Sequence, residues 1–139
     1  MRRLSQTLIL GALLAGQIWP QTAKAEDESY ICSITEARAC TASDTCKDAS
    51  LRELYIAPLV VLDLENKQIV SAAMDDRGRT DPIDGFNRVE NELILYGHAD
   101  DEAWSAVVSL ENGALTGNIT TDGTAYVLFG YCAPNVNPG

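Results

Sequence analysis

The one histidine of the chain, His98, is the first residue to consider for chemistry, because its imidazole is the only ready general base near neutral pH. Three acidic residues follow it closely, Asp100, Asp101 and Glu102. This spacing would suit a histidine–carboxylate pair or a divalent-metal site. A single turn does not supply the converging groups that catalysis needs, however. We therefore expect a solvated acidic turn between two strands and assign no catalytic residue.

A second candidate is a polar stretch that begins at Asp75 and ends at Gly85. Calcium is conceivable there, but the spacing does not follow the Asp-x-Asp-x-Asp-Gly order of an EF-hand loop. Paired carboxylates can also hydrolyse glycosides, a reaction that needs a cleft which nothing in the sequence indicates. We predict a long irregular surface loop, and a partner-binding loop as its functional alternative. The residues concerned are Asp75, Asp76, Arg77, Arg79, Asp81 and Asp84.

Motifs of the common enzyme classes do not occur in this sequence. No serine lies in a Gly-x-Ser-x-Gly context, and no glycine-rich phosphate loop follows a predicted strand. The four cysteines form no Cys-x-x-Cys pair, which makes a zinc site a weak alternative. We therefore predict a protein that is not an enzyme, with no cofactor and no metal.

The four cysteines predict two disulfides, for which three connectivities are possible. Cys40 and Cys46 flank a short polar stretch that can turn back on itself, so we expect them to pair. Cys32 and Cys132 lie in strand-like runs near the two ends of the chain, and we expect the second bond between them. That bond would hold the first and last strands of the fold together.

The first 25 residues have the three parts of a cleaved secretory signal peptide. A basic start is followed by an apolar run and then by the small-x-small site Ala23-Lys24-Ala25. The predicted mature chain, 26–139, is one small domain of 114 residues that functions in the periplasm of a bacterium or as a secreted protein. Loss of Arg2, Arg3 and Lys24 changes the net charge from −10 to −13. Such a surface repels nucleic acid and anionic membranes. It suits either a basic protein partner or no electrostatic partner at all, in which case the acidity serves solubility.

Short apolar runs separated by turn residues predict an all-β fold of about eight strands. Asn112-Gly113 predicts a hairpin with a type I′ turn, and Asp122-Gly123 predicts a second hairpin. Successive hairpins favour an antiparallel meander that forms a closed or nearly closed barrel, with a β-sandwich as the alternative. Several inward-facing residues follow from the alternation: Leu62, Leu64, Trp104, Ala106, Val108, Leu110, Leu115, Gly117 and Ile119.

The last strand of the domain, one cysteine-bounded loop and the C-terminal tail can also be predicted from the sequence. The segment Thr124–Cys132 is the closing strand, in which Gly130 marks a bend or bulge. Phe129 and Tyr131 lie on the face opposite Cys132 and could meet a partner. Residues 39–49 are expected to form a loop, and residues 133–139 a disordered tail.

Three functions are compatible with these predictions. The first is a non-enzymatic binding or inhibitor protein whose partner is a basic protein of the cell envelope. The second is a carrier that holds a small apolar ligand inside the barrel, with some of the mature-chain aromatic residues as pocket walls. The third is a small hydrolase that uses His98 or the acidic loop 75–84. We favour the first because the chain is acidic, exported and disulfide-bonded.

Overall fold

A computed structural model describes residues 28–71 and 79–136, which form ten β-strands and contain no α-helix. None of the described residues belongs to a helix that is long and apolar enough to cross a membrane. The strands are β1 (Ser29–Thr41), β2 (Asp44–Asp48), β3 (Leu59–Asp63), β4 (Gln68–Ser71), β5 (Thr80–Pro82), β6 (Gly85–Val89), β7 (Glu92–Ala99), β8 (Glu102–Ser109), β9 (Ala114–Thr121) and β10 (Thr124–Pro134).

All ten strands belong to one antiparallel sheet. Its order is β5-β4-β3-β1-β10-β9-β8-β7-β6, and β2 forms an additional hairpin with the second half of β1. The prediction of an all-β antiparallel fold is confirmed, with ten strands among the described residues in place of about eight. The closed barrel is not confirmed, because the sheet curls into a half-barrel and remains open between its edge strands β5 and β6. Since every strand lies in one sheet, the alternative of a two-sheet sandwich is wrong.

The concave face of the curled sheet holds the apolar core. Alternating residues of each strand point to this face, as the two-residue period of a strand requires. The inward orientation of the residues named above is confirmed, and Leu93 and Leu95 of β7 are completely buried beside them. The buried core residues are Cys32, Ile34, Ala37, Val60, Leu62, Leu64, Ile83, Leu93, Leu95, Val108, Leu115, Leu128 and Cys132.

The first and last strands, β1 and β10, pair along almost their whole length at the centre of the sheet. Their register shifts between Ile34 and Glu36, opposite Gly130 and Phe129. A Cβ atom on Gly130 would lie only 2.1 Å from the carbonyl oxygen of Ser33, so the strands approach too closely there for any side chain. An irregularity is present at the predicted place, but the extra residue of the bulge is Thr35 of the partner strand β1, opposite Gly130 and Phe129. On β10, Leu128, Gly130 and Cys132 face the core.

Both predicted disulfides are confirmed. Cys32 and Cys132 are directly opposite each other on β1 and β10, with their Cα atoms 4.0 Å apart. The N–H of Cys132 donates to the carbonyl oxygen of Gly113 on the other side of β10. The two cysteines therefore form a non-hydrogen-bonded pair, the kind in which side chains lie closest. Cys40–Cys46 closes the β1–β2 hairpin. Two disulfides are typical of proteins that fold in an oxidising environment outside the cytoplasm.

Three local predictions differ from the structure. Residues 39–49 were expected to form a loop, but β1 continues to Thr41 and β2 returns along it as a strand. Residues 80–82 were expected to be irregular, yet they pair with β4 at the edge of the sheet, where a proline is tolerated. Strand β10 runs through Pro134, and the N–H of Asn135 donates to the carbonyl oxygen of Ser29, within the segment expected to be disordered.

The hairpin at Asn112-Gly113 forms, but the predicted turn type is wrong. Gly113 has positive φ, whereas Asn112 does not. The N–H of Gly113 donates to Ser109, which gives a four-residue connection in place of a two-residue type I′ turn. The side-chain oxygen of Asn112 accepts from the N–H of Ala114, a bond that stabilises this wider turn. The second predicted hairpin, at Asp122-Gly123, is confirmed.

Removal of the Cys32–Cys132 bond should destabilise the protein more than removal of Cys40–Cys46. The two bonds span 100 and 6 residues. On the chain-entropy model such loops are worth about 4.7 and about 2.4 kcal/mol. We expect Cys32→Ala/Cys132→Ala to lower the free energy of unfolding by about 2 kcal/mol more than Cys40→Ala/Cys46→Ala in urea titrations. An equal or larger loss in the second variant would contradict the central role of the β1–β10 bond.

Candidate functional site

A cavity of about 120 Å³ lies against the concave face of the sheet. Its walls come from strands on both sides of the β1–β10 pair, so the curl of the sheet creates it. Most of the lining is aliphatic, and Trp104 contributes an indole ring. The apolar wall consists of Ile34, Ile56, Ala57, Val60, Leu62, Ile69, Leu95, Trp104, Ala106, Leu115, Gly117, Ile119 and Leu128.

Two glycines on the concave face determine the shape of this cavity. Gly117 of β9 lies between Ala106 and Leu128, and a Cβ atom there would be at ordinary contact distances of 3.4 to 3.8 Å from its neighbours. The space beside Gly117 is thus large enough for a side chain that the protein does not have. Gly97 of β7 is different, because the indole ring of Trp104 occupies the place of its missing Cβ atom.

The indole of Trp104 contains the one buried side-chain polar atom without a hydrogen-bond partner among the residues that the structure describes. This atom is Nε1, which can only donate. The carbonyl oxygen of Pro82 also lies close to Gly97, but it does not accept a hydrogen bond from the indole. A buried donor without an acceptor is costly, and each such group in a native structure calls for an explanation.

Charged residues surround one end of the cavity. Nε of Arg79 is 2.7 Å from Oδ1 of Asp81, and its Nη2 is 3.7 Å from Oε2 of Glu102. The hydrogen bond with Asp81, followed by the charges of Asp81, Glu102 and Asp100, raises the pKa of Arg79. The backbone of Arg79 is fixed by hydrogen bonds with Ser71 on β4. This end of the cavity therefore carries one cation and more than one carboxylate.

Tyr55 also borders the cavity, on a turn that joins β2 to β3. A single helical turn begins at Ser50, and it ends in a Schellman motif: Ile56 N–H donates to the carbonyl oxygen of Leu51, and Tyr55 N–H donates to that of Arg52. Tyr55 has positive φ at the position that usually carries glycine. Its side chain is 72% exposed. The motif thus places an aromatic ring between the cavity and solvent.

His98 does not pair with the acidic residues that follow it in sequence. Its Nδ1 lies 2.5 Å from Oδ2 of Asp84, at the start of the neighbouring strand β6. Both residues lie at the surface, where Arg79, Asp81, His98 and Asp100 line a polar depression next to the cavity. The fold therefore does bring His98 to one end of the acidic loop. No hydroxyl or thiol of a described residue forms a hydrogen bond with His98.

The predicted loop residues have different positions. Arg79 and Asp81 border the cavity, and Asp84 contacts His98. Asp75, Asp76 and Arg77 lie outside the described residues. The signal peptide also lies outside them and remains a prediction. Within 28–71 and 79–136, no group of three acidic, histidine or cysteine side chains converges as a metal site would require.

The opposite end of the concave face is bridged by Arg88 of β6. Its Nη2 lies 2.9 Å from Oε2 of Glu28 and within 3.4 Å of the hydroxyl of Tyr30. The hydrogen bond with Glu28, and then that with Tyr30, raises the pKa of Arg88. The arginine thereby joins one edge strand to the start of β1 across the interior. This contact covers the core at the end away from Tyr55.

The convex face exposes the aromatic residues predicted for it. Phe129 is 37% exposed and Tyr131 is 63% exposed. Neighbouring strands add Ile31 and Val107, which are also exposed. Thr116 lies between Phe129 and Val107 in the register of β10, β9 and β8. The outer face thus has scattered apolar side chains among polar ones.

No protein-family model matches the chain, and the search of curated proteins found no matching sequence.

The sequence analysis included a ligand site inside the barrel as an alternative, and it predicted the inward orientation of Trp104 and Gly117, but it did not identify the residues that line the cavity. The signal was present in the register of three adjacent strands. Gly97 of β7 lies opposite Trp104 of β8, and Gly117 of β9 lies opposite Ala106, the next inward residue of β8. This signal can be recognised only when the pairing of the strands is known, because Gly97 and Gly117 are twenty positions apart in the sequence.

The two glycines should respond differently to the same substitution. Gly97→Ala would place a Cβ atom 2.5 Å from both the indole ring of Trp104 and the carbonyl oxygen of Pro82. We expect a loss of about 1–3 kcal/mol in the free energy of unfolding. Gly117→Ala makes only ordinary contacts and serves as the matched control, with unchanged or slightly increased stability. Urea titrations that show equal losses would mean that the indole is not seated on Gly97.

Proposed function

We propose that this protein binds a small, mainly apolar molecule in the cavity on its concave face. The cavity itself, next to Gly117, is the observation that carries the proposal. Most of its lining residues are apolar, and transfer of an apolar molecule from water to such a surface is favourable.

The size of the cavity suits a single ring or a short hydrocarbon chain. Dry cavities of about 150 Å³ with aliphatic and aromatic walls bind benzene. A longer ligand would extend from the cavity past the exposed ring of Tyr55. Because the two disulfides are typical of an oxidising environment, we also propose that binding takes place outside the cytoplasm, in the periplasm or after secretion.

Filling the cavity should abolish binding without loss of stability. In Gly117→Val the new side chain would occupy the space beside Ala106 and Leu128. We expect the affinity for a benzene-sized probe such as toluene to fall at least tenfold, about 1.4 kcal/mol, in calorimetric titrations. The free energy of unfolding should be unchanged or higher, because the cavity is smaller.

The matched control for this experiment is Thr116→Val, on the adjacent residue of the same strand. Thr116 is exposed on the convex face, so its substitution leaves the cavity intact. The control should bind toluene like the unmodified protein. Equal affinities for Gly117→Val and Thr116→Val would show that any binding occurs elsewhere, and the absence of binding in all three proteins would contradict the proposal.

A second candidate function is binding of a protein partner through the convex face. The exposure of Phe129 and Tyr131 on adjacent outward positions of β10 favours it. The acidic composition of the chain favours a basic partner in the cell envelope. This function is compatible with ligand binding, because the two surfaces lie on opposite faces of the sheet.

Loss of both aromatic side chains should weaken such a partner interaction while the fold remains stable. We expect Phe129→Ser/Tyr131→Ser to reduce crosslinking to the partner at least tenfold in cell envelopes, since aromatic anchors dominate interface energies. The control is Val89→Ser, which removes an exposed apolar side chain from the edge strand β6. Equal crosslinking yields for both variants would contradict a role of the aromatic pair.

A further inference from the structure

We propose that the Cys40–Cys46 disulfide is a site of thiol–disulfide exchange, and that its reduction by an external dithiol weakens ligand binding in the cavity. The second half of this inference rests on the proposed function, because it concerns the affinity of that cavity. The other disulfide, Cys32–Cys132, is a structural bond that the same dithiol leaves intact.

The first argument is the contrast in exposure between the two disulfides. Cys32 and Cys132 are buried on the two central strands, which have neighbouring strands on both sides. Cys46 is exposed, and so is every other residue of β2. A thiolate must reach a sulfur atom of the disulfide to form a new bond with it. An external thiol can therefore react at Cys46 while the sheet stays intact, but not at the buried pair.

The second argument is that the fold does not depend on the Cys40–Cys46 bond. This bond spans 6 residues, whereas Cys32–Cys132 spans 100. A short loop constrains the unfolded chain less than a long one, so opening it destabilises the fold less. The β1–β10 ladder with its own disulfide holds the domain together in the reduced state. Because the two thiols remain six positions apart in a folded protein, the bond can close again.

The exchange takes place in two steps, each of which breaks one disulfide and forms another. The thiolate of the dithiol attacks Sγ of Cys46, and the Cys40–Cys46 bond breaks. Sγ of Cys40 leaves as a thiolate, which takes up a proton from water. The second thiol of the reagent loses its proton and attacks the mixed disulfide, so that Cys46 is released and the reagent leaves as a cyclic disulfide. Two electrons pass from the dithiol to the protein.

The third argument is the path from this disulfide to the cavity wall. Strand β2 has no buried side chain, so its attachment depends on its pairing with β1 and on the disulfide. An exposed two-stranded ribbon of this kind is only marginally stable. From β2 the chain continues through Ala49, whose N–H donates to the carbonyl oxygen of Ala37, to the helical turn that places Ile56 and Ala57 in the wall. Reduction therefore loosens the segment that positions this wall.

The first experiment measures which disulfide reacts. The purified, disulfide-bonded protein is incubated with dithiothreitol, quenched with N-ethylmaleimide at successive times and mapped by peptide mass spectrometry. We expect Cys40 and Cys46 to be alkylated at least about tenfold faster than Cys32 and Cys132, because access controls the rate of exchange. With reduced glutathione in place of dithiothreitol, the trapped mixed disulfide should lie on Cys46 and the alkylated thiol on Cys40.

A second measurement follows the cavity wall without any ligand or variant. In the selectively reduced protein, amide hydrogen exchange should become at least about fivefold faster at Leu54, Tyr55 and Ile56, whose N–H groups donate within the helical turn. The amides of β9, on the other side of the cavity, should exchange at unchanged rates and serve as the internal control.

The third measurement tests the effect on binding. Calorimetry with toluene should give an affinity at least about threefold lower for the protein in dithiothreitol than for the oxidised protein, because a loosened wall must be ordered again on binding. The matched control is Cys40→Ser/Cys46→Ser, which lacks the bond under both conditions. Its affinity should equal that of the reduced protein and should not respond to dithiothreitol.

The outcomes separate this inference from the proposed function. Alkylation of all four cysteines at the same rate would overturn the assignment of the exchange site. If toluene binds equally well before and after reduction, or if exchange in the turn does not change, the bond does not control the cavity. If toluene does not bind the oxidised protein, the proposed function fails and the effect on binding fails with it, whereas the alkylation rates still decide whether Cys40–Cys46 is the exchange site.

Discussion

The pairing of the first and last strands, β1 and β10, is the interaction on which the rest of the structure depends. These strands lie at the centre of the sheet, and every other strand is connected to one of them directly or through the strands in between. The Cys32–Cys132 bond joins two residues that already face each other in the ladder. The close approach at Gly130 and the register shift on β1 bend the pair. Because bulges increase local twist, this bend contributes to the curl that gives the sheet its concave face.

The cavity follows from that curl together with unusually small residues on the inner face. A curved sheet of ten strands can enclose more volume than the side chains of a small domain fill. Trp104 fills part of it over Gly97, but Ala106 and Gly117 leave the adjacent space open. Arg88 covers one end of the interior, and Arg79 with its carboxylates lies at the other. The result is an apolar interior with charged ends, a common arrangement in sites that hold small molecules.

Local sequence patterns were sufficient for much of this fold, and the errors have physical causes. The two-residue alternation identified most strands and their inward faces, and the distribution of the cysteines identified both disulfides. Strand β2 was missed because it is polar and exposed along its whole length, so it carries no alternation. Strand β5 was missed because its pairing partner, not its own composition, makes Thr80–Pro82 extended. The contact between His98 and Asp84 and the cavity beside Trp104 both depend on cross-strand register, which single-sequence reasoning did not supply.

The central claim is that the concave face of the curled sheet holds a small apolar molecule. It is tested most directly by intermolecular nuclear Overhauser effects between toluene and the methyl groups of the protein. The account predicts contacts with Leu62, Leu115 and Leu128, which line the cavity on three different strands. It also predicts no contact with Val107 on the convex face. Contacts restricted to Val107 and its exposed neighbours, with none to the three leucines, would contradict it.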